Sequence, residues 1–165
     1  MLSKRSALIM EISPVKHSLL GELLQDLGFP LVSEAPTQLK ALELMQVIAY
    51  DAVFVEVARG DDSGFKFIRK LRLDRRNNHR VPIIVMSTDG QRRTIEGARD
   101  AGAHGFLVKP FSRGSLHVQI VRVLNDGRAY VEAPDFSGPD RRRWRDPDYT
   151  GPEQRRNPTA SHYLD

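Results

Sequence analysis

The chain has 165 residues, of which 40% are hydrophobic and 28% are charged, and its formal net charge is +4. This length allows one domain plus an extension, and the charge is too small to require a polyanionic partner. There is no cysteine, and the five histidines lack the spacing of metal ligands, so we expect neither thiol nor zinc chemistry.

Five short apolar runs occur in the first 127 residues, each bounded by proline, glycine or charged residues. Runs of this kind predict buried strands. They are SALIM (6–10), FPLV (29–32), DAVFVEV (51–57), VPIIVM (81–86) and GFLV (105–108). The first run is short and is soon followed by Glu11, so it is neither a secretory signal nor a membrane span. We therefore expect a cytoplasmic protein.

Segments with helical spacing separate these runs. The first has an apolar face and suitable end residues, namely Pro14, Leu19, Leu20, Leu23, Leu24, Leu27 and Gly28. Similar patterns predict helices over 37–48, 63–73, 90–102 and 112–126. Alternating strands and helices predict an α/β fold, a doubly wound five-stranded parallel sheet covered on both faces.

The composition changes after residue 127. Half of the ten prolines lie in the last 38 residues, and the apolar periodicity ends. Such a segment cannot bury enough apolar surface to become ordered alone. We therefore divide the chain into a domain at 1–127 and an arginine- and proline-rich tail at 128–165, which we expect to be disordered without a ligand.

The functional crevice of a doubly wound sheet lies beyond the carboxyl ends of its strands. The residues predicted at this edge are Glu11, Ile12, Glu56, Ser87 and Lys109. In order and spacing, the segments LIMEISP, YDAVFVEV, VPIIVMST and GAHGFLVKPFS resemble the receiver domain of two-component response regulators, which has the CheY-like fold. The resemblance covers residues 5 to 127 and includes Gly64, eight residues after Glu56.

The receiver resemblance implies an acidic pair that holds Mg²⁺ and an aspartate that accepts a phosphoryl group from a histidine kinase. Here the pair is Glu11 and Ile12, and Glu56 occupies the acceptor position. Isoleucine cannot ligate Mg²⁺, and the extra methylene of glutamate misplaces the carboxylate for in-line attack. We therefore expect a degenerate site with no phosphorylation and no metal.

Two interpretations of the remaining site residues stay open. In the first, Lys109 pairs with Glu56 in a purely structural contact. In the second, Glu56 takes the place of the phosphorylated acceptor and holds the domain near an active-like state. Phe106 stands at the position of the family's aromatic switch residue, although burial alone would also explain a phenylalanine there.

The tail contains an internal repeat, because FSGPDRRR (136–143) recurs as YTGPEQRR (149–156). All seven basic residues of 128–165 are arginine, which favours bidentate and stacking contacts, and seven acidic residues cancel their charge. Nucleic acid is therefore an improbable partner. In the tail, arginine is followed three residues later by aspartate twice, as Arg143 and Asp146 and as Arg145 and Asp148. Such a pair can bind both edges of guanine, and the adjacent Trp144 can stack on the base.

A repeated arginine motif suggests a ligand with two guanines and two phosphates, which is the composition of cyclic di-GMP (c-di-GMP). Domain and tail together resemble the Cle family of CheY-like c-di-GMP effectors. This resemblance implies that the ligand binds the tail and that the protein is then recruited to the flagellar motor switch protein FliM. The candidate ligand-binding residues are Arg141, Arg142, Arg143, Trp144, Arg145, Asp146, Asp148, Tyr149, Arg155 and Arg156.

An enzyme is not expected, since the sequence has no P-loop, no dinucleotide fingerprint and no nucleophile paired with a histidine base. The alternative is a phosphorylation-independent receiver that binds a protein constitutively through its fourth helix, fifth strand and fifth helix, with an inert tail. A second basic segment, RKLRLDRRNNHR (69–80), is interpreted as a solvated face in preference to a second anion site.

Overall fold

A computed structural model describes residues 4–11, 19–75 and 79–141. Its strands are β1 (Ser6–Met10), β2 (Leu31–Ala35), β3 (Ala52–Glu56), β4 (Ile83–Ser87) and β5 (Gly105–Val108). Its helices are α1 (Leu19–Asp26), α2 (Gln38–Val47), α3 (Ser63–Leu73), α4 (Arg92–Ala101) and α5 (Arg113–Leu124). The strands form one parallel sheet in the order β2-β1-β3-β4-β5. The predicted doubly wound α/β fold is confirmed.

Two hydrophobic layers cover the two faces of the sheet, because successive residues of a strand point to opposite sides. On β3, for example, Val53 and Val55 belong to the layer beneath α2, α3 and α4, while Phe54 belongs to the layer beneath α1 and α5. The central strands are buried on both faces, which explains their unbroken apolar sequences. None of the helices that the structure describes is long and apolar enough to cross a membrane.

The second strand differs from its predicted position. The expected run was 29–32, whereas β2 spans Leu31–Ala35 and pairs with β1 along its whole length. Phe29 is buried in the core just before the strand begins, and the strand itself contains the polar residues Ser33 and Glu34. Because β2 lies at the edge of the sheet, its pairing is made by the backbone while these side chains stay partly exposed.

Gly64, in the first turn of α3, is placed close to the end of β3. A Cβ at this position would lie 2.7 Å from Val57 Cγ2 and 3.0 Å from the Glu56 carbonyl oxygen. Only glycine allows α3 to approach the strand this closely. The spacing of Gly64 after Glu56 therefore reflects packing behind the strand that carries Glu56.

The structure corrects the boundary of the predicted tail. Two further strands, β6 (Tyr130–Ala133) and β7 (Phe136–Pro139), form an antiparallel hairpin that packs against α3 and α4. Phe136 and Ser137 are each only 7% exposed. Residues 128–141 therefore belong to the folded domain, because the hairpin buries its apolar surface against the domain rather than alone. The rest of the predicted tail, 142–165, lies outside the described residues.

Candidate functional site

Four of the five predicted site residues meet at the carboxyl edge of the sheet. Glu11 follows β1, Glu56 ends β3, Ser87 ends β4 and Lys109 follows β5. Since neighbouring parallel strands end at the same edge, the sheet order brings these positions together. Ile12 lies outside the described residues.

Lys109 forms the centre of this site. Its Nζ donates hydrogen bonds to Glu56 Oε1 at 2.7 Å and to Glu11 Oε1 at 2.8 Å. The three side chains are 16–24% exposed. The Lys109 backbone N–H donates to the Ser87 carbonyl at 2.8 Å, which holds the base of the side chain beside β4. The structure thus contains the Lys109–Glu56 pair that the first interpretation requires, and it adds Glu11.

Opposing effects act on the charge of Lys109. Burial by itself lowers the pKa of Lys109, but the hydrogen bonds and negative charges of Glu11 and Glu56 more than offset burial, so the pKa is raised above its ordinary value. The ammonium group is therefore fully charged at neutral pH. It is held between two carboxylates in a partly dehydrated setting, where such pairs are stronger than on an open surface.

These side chains do not suit Mg²⁺. A magnesium site needs near-octahedral oxygen ligands, usually with one or two carboxylates free to face the ion. Here an ammonium group already contacts both carboxylates, and the neighbouring Ile12 has no side-chain oxygen. In the described part of the chain, no group of three or more histidine, aspartate or glutamate side chains could hold a metal ion. The chemistry of the site is that of an internal ion-pair triad.

Ser87 joins the triad to the start of α4. Ser87 is 1% exposed, and its Oγ accepts a hydrogen bond from the Asp89 backbone N–H at 3.1 Å. The Asp89 carboxylate in turn accepts from the Gln91 backbone N–H at 3.0 Å and from Thr94 Oγ1 at 2.8 Å. These bonds, the Gln91 bond above all, lower the pKa of Asp89. Asp89 was missed in the sequence, although an acid placed shortly before a helix is an ordinary start signal.

Phe106, the predicted aromatic switch residue, lies on β5 opposite Val85. Its side chain is half-buried and packs against the core layer beneath α2, α3 and α4. This packing is what the simpler interpretation, burial alone, requires.

A buried arginine connects the hairpin to the domain. Arg72 of α3 is 2% exposed, and it donates to the carbonyl oxygens of Gly102, His79 and Val81 at 3.0, 2.6 and 2.8 Å. Its guanidinium carbon also lies 5.9 Å from the centre of the Tyr130 ring on β6. Burial lowers the pKa of Arg72 to about 10. No sequence signal distinguished Arg72 from the exposed basic residues around it.

Part of the basic segment 69–80 also contacts the hairpin. Glu132 of β6 accepts hydrogen bonds from Arg80 Nη2 at 2.8 Å and from His79 Nε2 at 3.1 Å, and Arg75 lies 3.6 Å away. The bond from Arg80, followed by that from His79, lowers the pKa of Glu132. The expectation of a solvated face is met only in part, because the side chains of Arg75 and Arg80 are 77% and 59% exposed and yet contact Glu132 of β6.

One predicted ligand-binding residue is described, and it lies against α4. Arg141 Nη1 is 3.4 Å from Asp100 Oδ1, and the Arg141 guanidinium carbon is 4.1 Å from the centre of the Phe136 ring. The other candidates lie outside the described residues: Arg142, Arg143, Trp144, Arg145, Asp146, Asp148, Tyr149, Arg155 and Arg156. The first copy of the repeat begins within β7, so its first residues serve packing.

Three curated relatives match 68–71% of this chain. The chemotaxis protein CheY-3 of Vibrio cholerae is 27% identical over 117 residues, which cover 71% of this chain and 89% of that protein. The chemotaxis protein CheY of Pseudomonas aeruginosa is 28% identical over 117 residues, covering 71% and 94%. The transcriptional regulatory protein PdtaR of Mycobacterium tuberculosis is 34% identical over 112 residues, covering 68% and 53%.

Solved structures agree with this fold. The chemotaxis response regulator CheY4 of Vibrio cholerae has a TM-score of 0.63 and 26% identity, covering 72% of this chain and 98% of that one. The receiver domain of a Pseudomonas aeruginosa sensor histidine kinase, with magnesium in its active-site cleft, has a TM-score of 0.63 and 25% identity, covering 74% and 98%. Residues 7–121 match the response regulator receiver domain. Since this match spans more than half of the chain, the protein belongs to the response regulator receiver family.

Proposed function

We propose that this protein is a receiver-type signalling adaptor that is controlled by c-di-GMP instead of phosphorylation, and that it acts on a flagellar motor switch protein of the FliM type. The observation that carries the proposal is the ion-pair triad. Lys109 contacts both Glu11 and Glu56, so each carboxylate already has the site's own cation as a partner. A receiver of this kind needs another input.

The phosphorylation step is disfavoured for two physical reasons. Phosphoryl transfer to a carboxylate depends on metal charge that neutralises the phosphoryl oxygens, and these residues do not suit the metal. The Glu56 carboxylate is also held at 2.7 Å by Lys109, so attack would require breaking a partly buried ion pair.

The arginine-rich segment supplies the other input. It begins at Arg141, directly after a hairpin that is fixed to α3 and α4. Guanidinium groups bind phosphates and the O6 and N7 atoms of guanine through two parallel hydrogen bonds, which suits a cyclic guanine dinucleotide. The relatives named as chemotaxis proteins favour motility as the process that the adaptor controls.

Isothermal titration of the full chain with c-di-GMP tests the proposed input. The full chain is required because the repeat begins inside the folded hairpin. We expect a Kd of about 1 µM or tighter, and we expect Arg143→Ala to weaken binding by about 10-fold or more, because charge-assisted hydrogen bonds are lost. Arg122→Ala, which removes an exposed arginine from α5, is the matched control and should leave the Kd unchanged. GTP and single-stranded DNA should not bind, and absence of c-di-GMP binding refutes the proposal.

The output is tested by capture of purified FliM on the immobilised full chain, with and without c-di-GMP. Capture that requires the ligand supports the proposal. Incubation with acetyl phosphate and Mg²⁺, followed by intact-mass measurement, should show no added phosphoryl group. A stoichiometric adduct lost in Glu56→Gln would overturn the claim that phosphate is not the input.

One observation favours a second candidate, a receiver that binds its protein partner constitutively. Phe136 and Ser137, in the first copy of the repeat, are buried against the domain, so packing explains part of the motif without any ligand. For this candidate, capture of the partner would be the same with and without c-di-GMP.

A further inference from the structure

The arginine-rich segment starts at a residue that is already engaged by the domain. The Arg141 guanidinium lies over the Phe136 ring, and it reaches Asp100 in the last turn of α4. The side chains of Arg141 and Asp100 are 45% and 42% exposed, so this ion pair is half-hydrated and weak. Asp100 also accepts a hydrogen bond from Arg99 at 3.1 Å and would keep that partner if Arg141 left.

The backbone leading to Arg141 is fixed. The Asp140 backbone N–H donates to the Ala129 carbonyl at 2.7 Å, which closes the hairpin one residue before Arg141. Gly138 lies against Gly102, the C-cap residue directly after α4, and a Cβ on Gly138 would lie 2.7 Å from the Gly102 Cα. Because the hairpin has no room to slide at this point, an exchange of partners by Arg141 requires only a side-chain movement.

We propose that Asp100 competes with the ligand of the arginine-rich segment for Arg141, so that ligand binding detaches Arg141 from α4. This inference rests on the proposed function, because it takes c-di-GMP as the ligand. Arg141 Nη1, which faces Asp100, belongs to the donor pairs that a phosphate or a guanine edge would use, and it cannot complete a bidentate contact with a ligand while it points at Asp100. The exchange replaces the single contact of Arg141 with Asp100, at 3.4 Å, by a bidentate contact of Arg141 with the ligand, so it favours ligand binding.

The competition connects the ligand to α4. Loss of the Arg141 contact changes the charge environment of the last turn of α4, next to Gly102. A protein that binds Asp100 would raise the affinity of the chain for the ligand. By thermodynamic reciprocity, the ligand would raise the affinity of the chain for that protein by the same factor. The factor is small, since it is limited by the strength of one exposed ion pair and one ring contact.

Titration of the full chain with c-di-GMP, in the wild type and two variants, tests the competition. Asp100→Asn should tighten binding by about 2- to 5-fold, because Arg141 no longer has to leave a carboxylate. Glu96→Gln is the matched control. It removes the same charge from α4 and also breaks an arginine pair, but that pair, with Arg92, lies within α4. The Kd of Glu96→Gln should equal that of the wild type.

Amide chemical shifts give an independent readout. Saturating c-di-GMP should shift the Ala101 and Gly102 amide signals in the wild type, and these shifts should be smaller in Asp100→Asn, where the ion pair with Arg141 is already absent. Equal Kd values for the wild type and Asp100→Asn, or a weaker Kd for Asp100→Asn, overturn the competition while c-di-GMP binding stands. If the wild type does not bind c-di-GMP, the proposed function fails and this inference fails with it.

Discussion

Replacing Phe136 with alanine tests whether the hairpin is an integral part of the domain. Phe136 is 7% exposed, and the Arg141 guanidinium covers its ring. Burying a phenylalanine side chain contributes about 1.5–3 kcal/mol, and the cavity left by truncation raises the cost to about 3–5 kcal/mol in a rigid core. The hairpin lies at the surface and can partly close the gap, so we expect a loss of about 2–4 kcal/mol.

This loss is large against the total stability of about 5–15 kcal/mol that domains commonly have. Urea denaturation of the full chain, followed by circular dichroism, measures the free energy of unfolding. Leu39→Ala is the control, because Leu39 is a large apolar residue that is 69% exposed on α2, and its truncation should change stability by less than about 0.5 kcal/mol. If Phe136→Ala costs no more than Leu39→Ala, the hairpin does not contribute to the fold, and the boundary at residue 127 would stand.

Two further predictions concern charged groups. Arg72 Nη2 and the Ile83 N–H both lie within hydrogen-bonding distance of His104 Nδ1, and burial, with Arg72 second, lowers the pKa of His104 from 6.5 to about 3. Between pH 7 and pH 5 the unfolded chain therefore binds a proton at His104 that the folded chain does not bind. The contribution of His104 to the free energy of unfolding is full above pH 6.5, and it falls by about 2 kcal/mol between pH 7 and pH 5. Urea denaturation should show this pH dependence in the wild type and not in His104→Gln. In the triad, Lys109→Met should lower the free energy of unfolding at pH 7 by about 2 kcal/mol, because two like charges lose their shared cation, and adding Glu56→Gln should recover at least half of that loss.

The fold could be predicted because its strong signals are local. The central strands are apolar on both faces, and the helices between them have one apolar face, so period and length were sufficient. The edge strand β2 was misplaced because an edge strand needs backbone pairing but not an apolar sequence. Phe29 has strand-like character in the sequence, yet it is a core residue of the loop before β2.

The hairpin could not be predicted in the same way. Its second strand is Phe-Ser-Gly-Pro, and its stability comes from contacts with residues far away in sequence, such as the Tyr130 hydroxyl with the His79 carbonyl at 2.9 Å. The contacts of Arg72 with the carbonyl oxygens of other segments likewise depend on the fold. In the sequence it is one of several basic residues, and only the fold places it among three carbonyl oxygens.

The Lys109 triad could be predicted in part. The positions of Glu11, Glu56 and Lys109 at strand ends predicted that they would gather at one edge. That one Nζ contacts both carboxylates depends on distances that a sequence does not contain. The receiver resemblance supplied the expectation of a degenerate site, and the structure adds that a lysine lies between the two acids.

Helix α4 is the element that these findings have in common. At the start of α4, Thr94 of the helix donates a hydrogen bond to Asp89, which lies in the loop that begins at Ser87. At the other end of α4, Gly102 and Asp100 contact the hairpin. A change at either end of the helix therefore acts on the same rigid body. At the Ser87 end, the single ammonium group of the triad already contacts two carboxylates, so it offers little to a new anion. At the Asp100 end, the contact is exposed and weak, and the arginine that makes it is the first of the arginine-rich segment. A signal that enters through that segment thus reaches α4 where its attachment is easiest to change.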